Sequence, residues 1–386
     1  MNKFSVAAPY RTSYYNDYAV VLCRNGMLRN YILGTRRGCA GVPRELTKLN
    51  PEVGLVRTLA GKFLSTYRGE CVRFATYPWF DRWALKKITT SDHIISSYGF
   101  ANECFKATRA AGGKTFLEAG NSHPQQFGEI MAEEHVRWSC ALPPIYPPYQ
   151  QRALRMMDDV DFVLSPSRYV SDSFLRRGFL PEQIIYNPFA CDLTRFYPAQ
   201  NPRPKNRPLT IIHTGMLGLR KGTPYLLEAF RIVKKRHPSA RLILVRQIHD
   251  SIKPVLARYQ DLPIEWSPGG NHQALSALLR EADLFVMPTL EEGFARVLSE
   301  ALACGLPVIT TAHSGVNDFI VPETNGEIVP LRDANAVAEA IFKWGDKIMA
   351  NEQPPVSLID PQQLSFDAFE HRFLDGVSRL AAENRL

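Results

Sequence analysis

The sequence predicts an α/β protein built from two doubly wound parallel sheets that face each other across a cleft. The chain has 386 residues, more than one ordinary hydrophobic core requires, which favours two domains. Short apolar strands alternate with amphipathic helices, the pattern of parallel sheets covered on both faces. Apolar residues make up 45% of the chain and charged residues 22%, as in soluble globular proteins and unlike disordered or fibrous ones.

The first half of the chain contains five candidate strands separated by helical stretches. They are FSVAAP (4–9), NYILG (30–34), DHIISS (92–97), KTFLEAG (114–120) and DFVLSPS (161–167). Each is a short apolar or β-branched run, as buried strands are. The basic segment between about residues 35 and 90 fits this pattern poorly, so no element is predicted there.

The second half alternates more regularly. Its candidate strands are LTIIH (209–213), ARLILV (240–245), DLFVMP (283–288) and PVIT (307–310), and its candidate helices cover 223–236, 272–282 and 294–305. Thr223 and Pro224 have the residue types of an N-cap and a first helical position. A last helix is predicted over 366–384, after a proline-rich stretch long enough to return the chain to the first domain.

These elements divide the chain into domains of residues 1–202 and 208–362, with a C-terminal helix (365–386) that completes the first domain. The polar, proline-bearing segment RPKNRP (203–208) is the predicted linker. In doubly wound sheets, ligands bind beyond the carboxyl ends of the strands. The loops that follow strands are therefore the places where a functional site is expected.

Composition disfavours several classes of protein. The seven cysteines are scattered without a CxxC pair, which favours free thiols in a reducing compartment over disulfides or a zinc site. No run of about eighteen apolar residues is present, as a membrane-spanning helix would need. The apolar run at the N-terminus is too short for a signal peptide, so a cytoplasmic protein is expected.

Positive charge is concentrated in the first half. The first ninety residues hold 15 Lys and Arg against 5 Asp and Glu, whereas residues 201–386 hold 21 of each. This asymmetry predicts an acidic partner for the first domain, such as an anionic membrane surface, an anionic acceptor or nucleic acid. No nucleic-acid-binding motif is found, which disfavours the last of these. A general contribution to solubility is an equally good account.

The loop after the strand at 209–213 combines glycines with cations. In HTGMLGLRKGT (213–223), Gly215, Gly218 and Gly222 allow a close backbone approach, and Arg220 and Lys221 precede a helix start. This combination suits a diphosphate. The spacing is neither that of a Walker loop nor that of the dinucleotide fingerprint, so a solvated surface turn is the alternative.

Two acids, Glu292 and Glu300, lie eight residues apart in LEEGFARVLSEALACGLPVIT (290–310). Glu292 comes in the loop after a strand, and in a helix starting at Phe294 Glu300 falls about 60° from Val297, at the edge of the apolar stripe. Carboxylates there can accept hydrogen bonds from sugar or ribose hydroxyls. On spacing alone, the simpler interpretation is that Glu292 only stabilises a helix start and that Glu300 is an ordinary acid at the rim of the apolar stripe.

His123 follows the strand at 114–120, in LEAGNSHPQQ (117–126). At the carboxyl end of a strand it would face the cleft, where an imidazole can act on a hydroxyl group or stabilise developing charge. A histidine with a purely structural role is the more common alternative.

Taken together, these motifs resemble those of the retaining glycosyltransferases of the GT-B fold, specifically family 4. The resemblance runs from about Thr115 onward. The most specific element is similar to that family's E-x7-E signature, from Glu292 to Glu300 and followed by ALACGLPVI. Segments 158–198, 215–230 and 314–330 are similar to the family's interdomain segment, its donor-phosphate loop and the stretch that closes its donor domain. The first ninety residues, which should recognise the acceptor, match little.

The resemblance implies transfer of a hexosyl unit from a UDP- or GDP-sugar to a sugar or lipid-linked acceptor, in envelope polysaccharide or glycolipid synthesis and with no metal. Arg220 and Lys221 would neutralise the diphosphate, Glu300 would hold the ribose, and Glu292 would hold the transferred sugar. The implied catalytic residues are His123 and Glu292, and the implied donor-binding residues are Gly215, Arg220, Lys221, Gly293, Phe294, Ala295 and Glu300.

The sequence also departs from the family pattern. Met216 stands where many members have an arginine, Ala295 replaces a common glycine, and Ser314-Gly315 replaces a glycine pair. These departures leave the shape of the sugar pocket open. A sugar-nucleotide epimerase or phosphorylase on the same fold, or a non-catalytic scaffold that binds nucleotide sugars, remains an alternative. Peripheral association of residues 1–90 with an anionic membrane is a further expectation.

Overall fold

A computed structural model describes residues 3–10, 13–35, 41–201, 204, 207–245, 247–350, 356–383 and 385. The protein contains two separate parallel sheets with helices packed against them, as the sequence predicts. No helix within these ranges is long and apolar enough to cross a membrane.

The first sheet has seven parallel strands: β1 (Phe4–Ala8), β2 (Leu28–Leu33), β3 (Thr47–Leu49), β4 (His93–Ser97), β5 (Thr115–Glu118), β6 (Phe162–Ser165) and β7 (Ile184–Tyr186). Their order is β3–β2–β1–β4–β5–β6–β7, so the direction of winding reverses between β1 and β4. All residues of β1, β4, β5 and β6 are buried, which explains why these strands read as continuous short apolar runs.

Seven helices belong to this half of the chain: α1 (Ser13–Arg24), α2 (Pro51–Phe63), α3 (Thr66–Leu85), α4 (Asn102–Ala110), α5 (Pro124–Arg137), α6 (Tyr146–Met157) and α7 (Arg168–Leu175). The basic segment left without a predicted element forms β3, α2 and α3. Polar and aromatic side chains surround α3 on every side and Pro78 lies inside it, so it has no apolar stripe for a sequence pattern to detect. Side chains of Asn50 and Ser65 cap the starts of α2 and α3.

The second sheet has six parallel strands: β8 (Thr210–His213), β9 (Arg241–Val245), β10 (Ile264–Ser267), β11 (Leu284–Met287), β12 (Val308–Thr311) and β13 (Gly326–Val329). The order β10–β9–β8–β11–β12–β13 reverses between β8 and β11. The remaining helices are α8 (Thr223–Arg236), α9 (Lys253–Leu256), α10 (His272–Glu281), α11 (Arg296–Ala303), α12 (Ala334–Ala350), α13 (Pro361–Leu364) and α14 (Phe366–Ala382).

Two helix starts differ from prediction. Helix α8 is capped by Gly222 rather than Thr223, with a left-handed φ of +67°. A side chain at Gly222 would collide with the carbonyl oxygen of Pro288, so the loop is pressed against the end of β11. Helix α11 starts at Arg296, two residues later than predicted, because Phe294 and Ala295 still belong to the loop after β11.

Helix α14 returns to the first domain, as predicted. Phe369 and Phe373 lie with ring centroids 4.9 Å and 5.0 Å from that of Tyr18. Glu370 accepts a 2.8 Å hydrogen bond from the side chain of Asn25. Residues 203, 205 and 206 of the predicted linker and residues 351–355 at the start of the proline-rich stretch lie outside the described residues, so the domain boundaries stay a prediction.

Candidate active site

Three loops that follow strands meet between the two sheets. They are residues 214–222 after β8 and 288–295 after β11 in the second domain, and 119–123 after β5 in the first. Strands β8 and β11 lie at the reversal of the second sheet, where doubly wound sheets open a crevice for ligands.

A cluster of opposite charges occupies this meeting point. Arg220 Nη1 lies 2.5 Å from Glu292 Oε1, and Lys221 Nζ forms an ion pair with the same oxygen. Arg220 Nη1 also donates to the carbonyl oxygen of Glu291 at 2.9 Å. Only 12% of the Lys221 side chain and 10% of the Glu292 side chain are exposed, so water screens these charges weakly.

Burial and ion pairing shift the pKa values of these groups in opposite directions. Burial alone would raise the pKa of Glu292, but the charges of Arg220 and Lys221 outweigh it and leave that pKa below its ordinary value. Burial lowers the pKa of Lys221, while Glu292 partly restores it. The cluster therefore brings two cations and the Glu292 carboxylate together in a mostly buried environment.

The glycine-bearing loop aims both cations at the same point. Gly215 adopts a left-handed φ of +108°, and a side chain there would approach the Lys221 methylene chain at 3.8 Å. The carbonyl oxygen of Arg220 accepts hydrogen bonds from Leu290 N–H at 2.9 Å and Thr289 Oγ1 at 3.0 Å. The loop after β8 is thus fastened to the loop after β11, and its role as a donor-phosphate loop stays a prediction.

Glu291 belongs to this site, although sequence reasoning did not select it. Its carboxylate accepts hydrogen bonds from Asn121 Nδ2 at 2.7 Å and from Ser122 N–H at 2.8 Å, and it lies 3.8 Å from Arg220 Nη1. The residue is fully buried, which raises the pKa of the carboxyl group. The signal was the doubled acid in LEEGF, of which only Glu292 falls in the recognised motif.

Gly293 lies at a close contact between the two domains. A side chain at this position would stand 2.2 Å from the carbonyl oxygen of Gly120 in the first domain. Its own carbonyl oxygen accepts a 2.7 Å hydrogen bond from Ser167 Oγ of the first domain. Glycine is therefore the residue that this interdomain contact accommodates.

Phe294 and Ala295 are used structurally in this conformation. The Phe294 ring packs against Phe189 at 5.7 Å between centroids and against Phe319 at 6.2 Å. The Ala295 N–H donates to the carbonyl oxygen of Ser314 at 3.0 Å. The Ala295 N–H is therefore engaged within the second domain in this conformation, and the donor-binding roles implied for Phe294 and Ala295 stay predictions.

Glu300 lies on α11, apart from the charged cluster. Burial raises its pKa to about 7, an effect that Arg296 opposes and Asp192 reinforces. Within the described residues no hydrogen bond or ion pair joins it to Glu292, Arg220 or Lys221. The two acids of the motif thus occupy separate positions, one engaged by cations and the other mostly buried and easily protonated.

His123 does not take the position that the sequence suggests. Its Nδ1 accepts a hydrogen bond from Gln125 N–H at 3.3 Å and so caps α5, and its ring packs on Phe174 at 5.2 Å. Burial, aided by the charge of Arg177, lowers the pKa of the ring to about 4. The imidazole is turned into the first domain, whereas its neighbours Asn121 and Ser122 contact the second.

Residues 195–353 match the family model described as Glycosyl transferases group 1. This part of the chain matches the glycosyltransferase group 1 family. The matched region includes all six strands of the second sheet together with Arg220, Lys221, Glu291, Glu292 and Glu300. The charged cluster therefore lies within the matched region, and the narrower assignment to family 4 stays a prediction.

Curated relatives of the chain include glycosyltransferases named for colanic acid and teichuronic acid biosynthesis. The chain is 29% identical over 220 residues to the colanic acid biosynthesis glycosyltransferase WcaL of Escherichia coli, covering 54% of this chain and 52% of WcaL. It is 27% identical over 236 residues to the teichuronic acid biosynthesis glycosyltransferase TuaC of Bacillus subtilis, covering 58% of each. The chain spans about half the length of these relatives.

Solved glycosyltransferase structures share the whole architecture. Sucrose-phosphate synthase from Thermosynechococcus elongatus superimposes with a TM-score of 0.69 at 20% identity, over 99% of this chain and all of that one. HepE of Anabaena, solved in complex with UDP, gives a TM-score of 0.64 at 14% identity over 98% of this chain and all of HepE. The predicted GT-B fold is confirmed.

Proposed function

We propose that the protein is a retaining glycosyltransferase that moves a hexosyl unit from a nucleotide diphosphate sugar to an acceptor hydroxyl. The observation that carries this proposal is the buried cluster of Arg220, Lys221 and Glu292 at the reversal of the second sheet. The names of WcaL and TuaC support a role in cell-envelope polysaccharide or glycolipid synthesis. The UDP complex of HepE supports a UDP- or GDP-sugar as donor.

The charges of the cluster suit a diphosphate leaving group. A diphosphate would displace Glu292 from Arg220 and Lys221, and this frees the carboxylate to accept hydrogen bonds from the sugar hydroxyls. As the bond between the anomeric carbon and the phosphate oxygen breaks, the two cations stabilise the charge that develops on the oxygen. Because side chains supply this charge, we expect the same transfer rate with and without EDTA.

Retention requires the acceptor to attack from the face that the diphosphate leaves. In the proposed step the acceptor oxygen bonds to the anomeric carbon on that face, and its proton passes to the departing phosphate oxygen. Glu300 is assigned to the ribose hydroxyls. His123 acts as a positioning residue, because it caps α5 and fixes the loop that holds Asn121 and Ser122 against Glu291.

The first domain carries features of a peripheral membrane surface. Leu59, Phe63 and Leu64, where α2 turns into α3, are 45%, 69% and 39% exposed, and the Lys62 ammonium lies 5.2 Å from the centre of the Phe63 ring. Apolar tips beside cations favour an anionic bilayer. We propose attachment at the inner face of the plasma membrane. Sedimentation with anionic but not neutral vesicles supports this, and equal binding to both contradicts it.

Thermal stabilisation by a panel of UDP-, GDP- and ADP-sugars tests the donor. A nucleotide sugar at 100 times its Kd should stabilise the folded protein by about 2.7 kcal/mol. Lys221→Ala should abolish the shift, whereas Lys235→Ala, an exposed position on α8, should retain it. No shift with any donor would contradict the proposal. NMR of the product then tests whether the anomeric configuration is retained.

A further inference from the structure

A cavity of about 650 Å³ opens in the first domain beside the candidate site. Its wall contains Tyr10 and Gly34, which follow β1 and β2, together with side chains of α2, α3 and α6. Aromatic rings such as Tyr77, Phe127 and Tyr149 form much of the lining. A concave, aromatic wall with few polar groups is typical of a pocket for a small organic ligand.

Two arginines in this wall lack a carboxylate partner. Arg57 Nη1 donates to the carbonyl oxygen of Arg73 at 2.9 Å and to Thr76 Oγ1 at 3.1 Å, and its guanidinium lies 4.6 Å from the centre of the Tyr10 ring. Across the described ranges, no acid lies within ion-pair distance of Arg57 or Arg73. Glu70 also lines the cavity, but its nearest ionic contact is His249 Nε2 of the second domain at 3.5 Å.

The cavity adjoins residues that contact the charged cluster. Asn121 and Ser122 both donate hydrogen bonds to Glu291, whose carboxylate lies 3.8 Å from Arg220. A smaller void lined by Asn121, Ser122, Phe127 and Tyr149 shares two of its residues with the large cavity. A molecule bound in the large cavity can therefore extend a hydroxyl towards the sugar held at Glu292.

We propose that this cavity takes an acceptor sugar that bears an anionic group, either a carboxylate or a phosphate. The sugar ring packs on the aromatic wall, and Arg57 and Arg73 bind the anion. Partly buried guanidinium groups gain strong charge-assisted hydrogen bonds from such an oxyanion, and a neutral acceptor would leave them without a counter-charge. The proposal rests on the proposed function, because it assigns the acceptor class of the same reaction.

The test measures binding of three small probes by titration calorimetry at saturating UDP. The probes are p-nitrophenyl β-glucuronide, the matched neutral p-nitrophenyl β-glucoside, and glucose 1-phosphate. We expect one of the two anionic probes to bind at least about tenfold more tightly than the glucoside, the effect of one charge-assisted hydrogen bond. Preference for the glucuronide identifies a carboxylate acceptor, and preference for glucose 1-phosphate a phosphorylated one.

Arg73→Gln should remove this preference. Its side chain is half-buried and makes no hydrogen bond or ion pair within the described residues, although its guanidinium lies beside Gly61 near the end of α2. Arg57→Gln also breaks bonds within the α2–α3 pair and is less suitable. Arg82→Gln removes the same charge from an exposed position on α3 outside the cavity and should keep the preference. Equal binding of all three probes to the wild type, or a preference that survives Arg73→Gln, overturns the proposal.

Binding of UDP alone distinguishes a failure of the acceptor assignment from a failure of the proposed function. If UDP binds the wild type and Arg73→Gln equally but the anionic probes show no advantage, the acceptor assignment is wrong and the donor site stands. If UDP fails to bind the wild type, the proposed function itself is wrong.

Discussion

Glu291 of the second domain accepts a 2.7 Å hydrogen bond from the side-chain amide of Asn121 in the first. The same carboxylate accepts a second hydrogen bond from the backbone of Ser122. These bonds join the two domains, and while the domains are in contact no water can replace a bond that the buried carboxylate loses. Glu291, which lies beside the motif, therefore holds the cleft closed, while the motif acid Glu292 binds the cations.

Replacing Asn121 tests this contact. Asn121→Ala should lower the free energy of unfolding by about 1.5–3 kcal/mol, because a buried charged group loses a hydrogen bond. Urea denaturation followed by fluorescence measures the change. Gln260→Ala removes an exposed amide and should alter stability by less than about 0.5 kcal/mol. Equal stability of the two variants would show that the Asn121–Glu291 bond contributes nothing in solution.

Glu292→Gln should change UDP binding and sugar transfer in opposite directions. Glu292 competes with the diphosphate for Arg220 and Lys221, so its neutralisation should tighten UDP binding by about tenfold, the effect of releasing one charge-assisted bond. The transfer rate should fall because the sugar hydroxyls lose the carboxylate that accepts their hydrogen bonds. Calorimetry and a transfer assay measure the two effects. Glu182→Gln, at an exposed position, is the matched control, and weaker UDP binding in Glu292→Gln would refute the competition.

Gly293→Ala should block close approach of the domains. The added methyl group would lie 2.2 Å from the Gly120 carbonyl oxygen, so the two backbones must separate. A displacement of about 1 Å at the reacting groups lowers the transfer rate by about 100-fold. Gly112→Ala adds a methyl group in the turn after α4, where no atom lies within 4 Å, and it should leave the rate unchanged, although its left-handed φ of +86° costs some stability. A wild-type rate in Gly293→Ala would mean that transfer needs no such contact.

Glu300→Gln should make stability less dependent on pH. Burial raises the pKa of Glu300 from 4.5 to about 7, so the stability that its protonated form provides is complete below about pH 4.5. That stability is lost as pH rises through about 7. Glutamine cannot ionise, so the variant should gain stability relative to the wild type between pH 4.5 and 7. Denaturation at a series of pH values tests this, and a constant difference between the two proteins would exclude it.

Sequence patterns located the strands buried on all sides and missed those at the margins. Strands β8 and β11 are fully buried and read as apolar runs, whereas β10, at the edge of its sheet, has no buried residue and gives no such signal. The cations of the site could be predicted because Arg220 and Lys221 are local to one glycine-bearing loop. The Asn121–Glu291 pair could not, since it joins residues 170 positions apart. The direction of the His123 ring likewise depends on Phe174, which belongs to another helix.

The order in which the two domains are translated differs from the order in which they can complete folding. Phe4 and Tyr18 leave the ribosome early, but Phe369 and Phe373, which cover them, are translated only after the whole second domain. Until then the nascent first domain exposes an apolar surface to solvent. The second domain can complete its own sheet first, so the half made later is expected to reach its native state earlier. A chaperone that holds unfolded chains would find its binding surface on the half that is made first.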